Sequence, residues 1–184
     1  KMEHAGGMLA QTLPAISIGA DIVIEEFNVK RFIKEIHKYT HTHITPRQAK
    51  IIINSKNFNE MDLSNIWITC GSDCVDWESI KAFVRRGATF MANWGMSEIG
   101  PCAINIIFSN EDSINDYISL APNNLPIMGE NFYCDYQISD LNELIVKGDI
   151  CIYDDWFFTG DLVIKKIKIS SYDESPVIYF LGRN

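Results

Sequence analysis

Long apolar runs are missing from this chain: none approaches the ~20 consecutive residues that a membrane-spanning helix needs. Positive charge is also scarce. The formal net charge is −8 and no basic stripe stands out, which argues against a nucleic-acid partner, because neutralising a phosphate backbone takes a basic face. Arg85 and Arg86 read simply as the end of one helix. No charged-then-apolar leader is visible, so the expectation is a cytoplasmic protein. Zinc-type C-x-x-C pairs are absent too. Cys70, Cys74, Cys102, Cys134 and Cys151 are scattered and odd in number, a pattern of reduced, partly buried thiols rather than of a disulfide framework. Neither a Gly-x-Ser-x-Gly elbow nor a G-x-x-x-x-G-K-[ST] phosphate loop occurs.

What is present is an alternation of strand-like and helix-like segments with short connections. "GADIVIEE" (19–26) is short, apolar and β-branched, and reads as a buried strand. Val29, Phe32, Ile33 and Ile36 follow at the spacing of an amphipathic helix, with Asn28 placed to cap it. "THTHIT" (40–45) alternates like a strand, and Pro46 opens a second helix. "LSNIWITCG" (63–71) reads as a strand running into a glycine turn. Asp76 caps the helix "WESIKAFVRR", Gly87 ends it, and "ATFMANW" follows as a strand. The pattern predicts an α/β fold: a parallel α/β layer over residues 1 to about 108, within an α/β subdomain of residues 1–114. From about Asn115 the runs are short, punctuated by turn residues and without helical periodicity. Residues 115–184 are therefore expected to form a small antiparallel β-sheet or distorted barrel.

In an open parallel sheet, ligands bind beyond the carboxyl ends of the strands. Two such ends here carry polar glycine turns, "TCGSD" and "NWGMSE". Gly71 and Gly95 would let a ligand approach the backbone, Trp94 could stack on a planar base, and Glu98 is a hard oxygen ligand suited to magnesium. The same residues also fit a core tryptophan and a solvated glutamate. In "TGDL" (159–162), Asp161 could accept from two sugar hydroxyls, although Thr-Gly-Asp is equally a common strand-to-strand turn. His41 and His43 share one face of a strand, as a metal pair or as two half-exposed histidines.

Taken in order, these segments resemble the adenylate-forming enzymes: acyl-CoA synthetases, peptide-synthetase adenylation domains and firefly luciferase. "HAGGM" is similar to the family's histidine segment beside the acyl pocket. The stretch "SIGADIVIEEFNVKRFIKEIHKYTHTHITP" resembles its G-A-x-x-V block. "NWGMSEIG" matches Y-G-x-[ST]-E-x-G at every position but the first. "NELIVKGD" resembles G-E-L-x-V-x-G, "DDWFFTGDL" resembles G-W-x-x-T-G-D-L, and "YFLGRN" resembles the G-R segment before the interdomain hinge.

The resemblance implies roles. Trp94 would lie against adenine with Gly71, Ser72 and Gly95 nearby, and Ser97 would approach the phosphate. Glu98 would bind Mg2+, Asp161 with Arg183 would hold the ribose, and His4 would border the acyl pocket. It implies ATP/AMP and Mg2+ as cofactors of the full-length parent. The partners would be a carboxylic acid, apolar or aromatic by default, and a thiol acceptor, CoA or a carrier protein. The family's phosphate loop with its lysine, and its C-terminal lid with a second lysine, are not found in the 184 residues. The expectation is therefore a central fragment of an adenylating enzyme, inactive alone. A non-catalytic binding or assembly domain that retains the fold is the alternative. Cys70 and Asn142 stand where the family commonly has glycine, and the stretch between Gly148 and Trp156 is shorter than usual.

Overall fold

The computed structural model describes residues 5–170 and 173–184. The chain begins with α1 (Ala5–Gly7), a π-type turn (Met8–Thr12) and α2 (Leu13–Ser17). After an irregular stretch come α3 (Val29–Glu35), β1 (His41–Ile44), α4 (Pro46–Ile53), β2 (Trp67–Cys70), α5 (Trp77–Arg85) and β3 (Thr89–Met96). β4 (Gly100–Phe108), α6 (Glu111–Leu120), β5 (Ile127–Gly129) and β6 (Asn131–Phe132) follow. The chain finishes with β7 (Asp135–Ile138), β8 (Glu143–Lys147), β9 (Phe157–Ile169) and β10 (Glu174–Arg183).

Two five-stranded sheets result. The first has the order β1-β2-β3-β4-β6 and the second the order β5-β10-β9-β8-β7. β1, β2 and β3 are parallel, with His43 opposite Thr69 and Thr69 opposite Met91. β4 and β6 are antiparallel to their neighbours, and the second sheet is antiparallel throughout. This is the expected α/β architecture, with a hairpin at the end of its parallel layer.

Local chemistry sets the helix ends. Asn28 accepts from the Arg31 N–H and Asp76 from the Ser79 N–H, each filling an orphan donor of a first turn. Thr45 and Gln48 form a reciprocal capping box in front of α4, with Pro46 at the first helical position. Gly87 stops α5 at a φ of 92°, a conformation that glycine adopts without steric cost. Alternation then decides the faces. Ile44, Ile68, Cys70, Phe90, Ala92, Ile106 and Phe108 point from the first sheet into one core, against Ala49, Ile52, Ile80, Phe83 and Ile114 from the helices. Phe83 lies at the centre, stacked on Phe90 at 5.6 Å and edge-on to Phe58 at 5.3 Å. A second cluster, including Ile99, Ile104, Met128, Leu144, Val163 and Ile178, joins the β3–β4 hairpin to the second sheet.

Three expectations are corrected. Residues 19–26 form no strand: the stretch is irregular, with Val23 55% and Ile24 59% exposed. A β-branched run needs a neighbouring strand for its hydrogen bonds, and among the described residues none pairs with it. The strand anticipated at 63–71 is confined to β2, because Asn65 adopts a φ of 68° and turns the chain just before it. The part after Asn115 is not free of helix, since α6 reaches Leu120 and buries Ile114 and Tyr117 one turn apart. Asn110 caps it, accepting from the Ser113 N–H. Among the described residues, no helix is long and apolar enough to cross a membrane.

Candidate functional site

The two sheets meet along a cleft of about 250 Å³ whose walls include Ser72, Cys74, Asn93, Trp94, Asp161 and Arg183. Its first wall is the "NWGMSEIG" stretch, which proves to be a hairpin. β3 runs through Met96, Ser97 and Glu98 make the turn, and β4 starts at Gly100. Gly95 lines the cleft, but a Cβ there would collide with the Gly100 carbonyl oxygen and the Pro101 carbonyl group. The hairpin's own backbone therefore demands glycine at this position. Gly71 lies at the end of β2, outside the cleft lining, where a Cβ would come within 2.5 Å of Asn93 Nδ2. Ser72, which does line the cleft, holds a φ of 77°, a left-handed conformation that costs a non-glycine residue of order 1 kcal/mol and is concentrated at functional turns.

The second wall is "TGDL", which is not a turn between strands but lies inside β9, where the β8–β9 register shifts and Gly160 takes a φ of 73°. Glu143 Oε1 accepts from the Gly160 N–H at 2.9 Å. Thr159 Oγ1 donates to the Leu144 carbonyl at 2.7 Å and accepts from the Asp161 N–H at 3.1 Å. These bonds fix the backbone that carries Asp161 into the cleft, and its side chain is only 3% exposed. Its two oxygens have different donors: the Trp94 indole Nε1–H reaches Oδ2 at 2.8 Å, and Arg183 Nε reaches Oδ1 at 2.6 Å. The Asp161 hydrogen bond and charge, with a smaller contribution from Glu98, raise the Arg183 pKa above its ordinary value. Glu98 thus lies within electrostatic reach of the same group. Its side chain is half-buried at the hairpin turn, and its backbone carbonyl accepts from the Ile152 N–H at 2.9 Å.

Of the anticipated residues, Ser72, Trp94, Gly95, Asp161 and Arg183 line one cleft. Glu98 stands beside it, and Ser97 is exposed on the turn. His4 lies outside the described residues. The histidine pair is split by its surroundings. His41 is exposed and stacks on Trp67 at 6.2 Å. His43 packs under α1, where a Cβ on Gly6 would come within 2.7 Å of its Nε2. Burial lowers the His43 pKa, and its Nδ1 has no hydrogen-bond partner among the described residues. Among those residues, no group of three or more His, Cys, Asp or Glu side chains could hold a metal ion.

Sequence reading had passed over Asn93 and Cys74. Asn93 is buried and donates through Nδ2 to the Pro101 carbonyl at 2.7 Å, buttressing the hairpin. Its position one residue before the motif's aromatic is the one sequence signal that could have marked it. Cys74 borders the cleft, with its thiol pKa pushed up to about 11 by burial and by Asp73 and Asp161. All five cysteines are free.

No family model matches the chain. Among curated proteins, an indoleacetate–CoA ligase of Aromatoleum aromaticum is 27% identical over 179 residues, covering 86% of this chain and 35% of the ligase. Among solved structures, o-succinylbenzoate CoA synthetase (MenE) from Bacillus subtilis in complex with the acyl-adenylate intermediate OSB-AMP aligns over 100% of this chain and 50% of its own. The TM-score is 0.73 at 17% identity. The same enzyme in complex with ATP and magnesium ion aligns with a TM-score of 0.72 at 17% identity, over 99% of this chain and 40% of its own. The chain therefore spans between about a third and a half of the length of these relatives.

Proposed function

We infer that this chain, which has the fold of the adenylate-forming acyl-CoA synthetases and spans part of that fold, is the nucleotide-binding centre of an AMP-forming carboxylate-activating ligase. In the parent reaction a carboxylate oxygen attacks the α-phosphate of ATP, pyrophosphate leaves, and a thiol of CoA or a carrier protein then takes the acyl group. The observation that carries this reading is the meeting of Trp94, Asp161 and Arg183 in one cleft between the two sheets. A flat ring beside a buried carboxylate suits an adenine next to a ribose. Gly71, Ser72 and Gly95 would flank the base, Ser97 would approach the phosphate, and His4 would border the acid. The names of the relatives support the same class of chemistry: one is a CoA ligase and another was captured with an acyl-adenylate.

Magnesium fits as a shared ligand rather than as a resident of a closed cage. Glu98 beside the cleft is a suitable carboxylate, and among the described residues no three-ligand group exists. Mg2+ usually takes one or two protein carboxylates and completes its shell with phosphate oxygens and water, so Glu98 would hold it together with the nucleotide. Electrostatic stabilisation of charge on the phosphates is what the ion would supply.

Residues 1–114 would carry the adenine and metal motifs, and residues 115–184 would carry Asp161 and Arg183. A cytoplasmic location accords with the CoA chemistry of the curated relative. The 184 residues contain no Ser/Thr/Gly-rich phosphate loop with a lysine. On its own, then, the chain is expected to bind nucleotide weakly and to form no acyl-adenylate. Calorimetry with ATP and magnesium, alongside an assay for acyl-adenylate, tests this. Robust adenylate formation by the 184-residue chain alone would overturn its assignment as an incomplete catalyst.

A further inference from the structure

Cys134 and Cys151 share a neighbour that has no side chain to hold them apart. Cys134, between β6 and β7, lies directly on the Gly148 backbone: a Cβ on Gly148 would sit 3.3 Å from Cys134 Cβ and 3.4 Å from its Cα. Gly148 opens the turn after β8, in which the Cys151 N–H donates to the Gly148 carbonyl at 2.9 Å. Such a turn keeps its first and last Cα atoms within about 7 Å. Both cysteines are free and partly buried, and both pack on the cluster that joins the β3–β4 hairpin to the second sheet. Burial, then the charges of Asp135 and Cys151, push the Cys134 thiol up to about 11, so Cys151 lies within electrostatic reach of it.

The loop that carries Cys151 is seated on the hairpin. The Ile152 N–H donates to the Glu98 carbonyl at 2.9 Å, and Ile150 Cδ1 lies 3.0 Å from where a Cβ on Gly100 would be. Ile150 and Ile152 are nonetheless 54% and 68% exposed, so little apolar burial holds the loop down. We propose that Cys134 and Cys151 form a modification site: a dithiol that a low-molecular-weight disulfide oxidises to a bridge, clamping the 148–152 loop onto the hairpin turn of Glu98.

The exchange balances with no further reactant. The Cys151 thiolate, on the loop, attacks one sulfur of the incoming disulfide; that S–S bond breaks and one thiolate leaves. Cys134 then loses its proton and attacks the Cys151 sulfur of the mixed disulfide, and the second thiolate leaves. The protein's two thiols have given up two electrons and two protons, and the small disulfide has become two thiols. Cys134 takes the second step because its S–H is engaged by the Ala103 carbonyl at 3.9 Å and its raised pKa leaves little thiolate for the first. A bridge requires Cα atoms about 4.4–6.8 Å apart, the scale of one such turn. In a reducing compartment a bridge of this kind is transient, which suits a sensor rather than a permanent staple.

The test incubates the folded 184-residue chain with reduced glutathione or with glutathione disulfide, alkylates the remaining thiols and maps the unreduced peptides by mass spectrometry. A bridge between Cys134 and Cys151 is expected, with Cys70, Cys74 and Cys102 alkylated. Closing the loop between the two cysteines should raise Tm by roughly 6–12 °C in a chain of this size and slow hydrogen exchange at the Ile152 N–H. Cys134→Ala should leave glutathione attached to Cys151 and abolish the rise, whereas Cys102→Ala should change neither result. A glutathione adduct that persists on the unaltered chain, a bridge between other cysteines, or no reaction until the chain is unfolded in urea overturns the proposal. A bridge between Cys134 and Cys151 that leaves Tm and the Ile152 exchange unchanged overturns the clamp.

Discussion

The indole of Trp94 and the carboxylate of Asp161 are 67 positions apart in sequence and 2.8 Å apart in space. Their hydrogen bond bridges β3 of one sheet and β9 of the other in the wall of the cleft. Asp161 is almost fully buried, and removing it leaves the half-buried Trp94 indole N–H without its partner. Asp161→Ala is expected to lower unfolding stability by about 1–3 kcal/mol, read from the urea midpoint. Little of that loss comes from Arg183, whose side chain is 60% exposed and solvated without its partner. Asp161→Asn keeps an acceptor oxygen for the indole and should lose less.

Gly95 is fixed by the hairpin rather than by any ligand. A Cβ there meets the Gly100 carbonyl oxygen and the backbone of Pro101 across the β3–β4 pair. Backbone atoms cannot rotate away as a side-chain tip can, so Gly95→Ala must pry the strands apart. It is expected to destabilise the chain by more than about 2 kcal/mol, seen as a drop in Tm. Gly182→Ala, with nothing near its Cβ position, serves as the control and should leave Tm nearly unchanged.

His43 predicts a pH dependence. Burial lowers its pKa in the folded chain below the unfolded value of 6.5, because desolvation disfavours the imidazolium. The unfolded chain therefore binds more protons in the window below 6.5, and stability rises with pH there. The contribution is fully present above 6.5 and is lost as the pH falls through the lowered folded pKa. Tm measured from pH 7.5 down to 5 should fall, and His43→Gln should flatten the fall between roughly pH 6.5 and 5. An identical slope in the variant would count against the histidine as its source.

Much of the fold was readable in the sequence because its signals are local. Asn28, Thr45, Pro46 and Asp76 sit at helix starts for reasons contained within four residues of each, and of the parallel strands β1 announced itself by alternation and β2 and β3 by their apolar runs. The failures share the opposite property. Residues 19–26 have the composition of a strand, but strand formation depends on a neighbour that composition cannot supply. α6 was hidden because Asp112, Ser113, Asn115 and Asp116 dilute the apolar spacing of Ile114, Tyr117 and Ile118. In the site, the motifs named the residues around the cleft, yet the bond between Trp94 and Asp161 joins two motifs and belongs to neither. The resemblance suggested a ring against adenine; only the geometry revealed that the ring's N–H is committed to the carboxylate.

Glu98 offers a test in which fold and chemistry separate cleanly. The turn that carries it is held by its backbone carbonyl, which accepts from the Ile152 N–H, and by Ile99, fully buried beside it. Neither depends on the carboxylate, so Glu98→Gln should leave Tm within about 0.5 kcal/mol of equivalent stability. If the carboxylate completes a magnesium shell with nucleotide phosphates, the neutral amide removes one anionic ligand from a hard cation. Binding of ATP, measured with and without magnesium, should then lose several-fold of the gain that the ion provides, while AMP binding without metal stays unchanged. A variant whose ATP binding responds to magnesium as the unaltered chain does would exclude Glu98 as the metal ligand. One that loses AMP binding equally would place the carboxylate on the nucleoside instead.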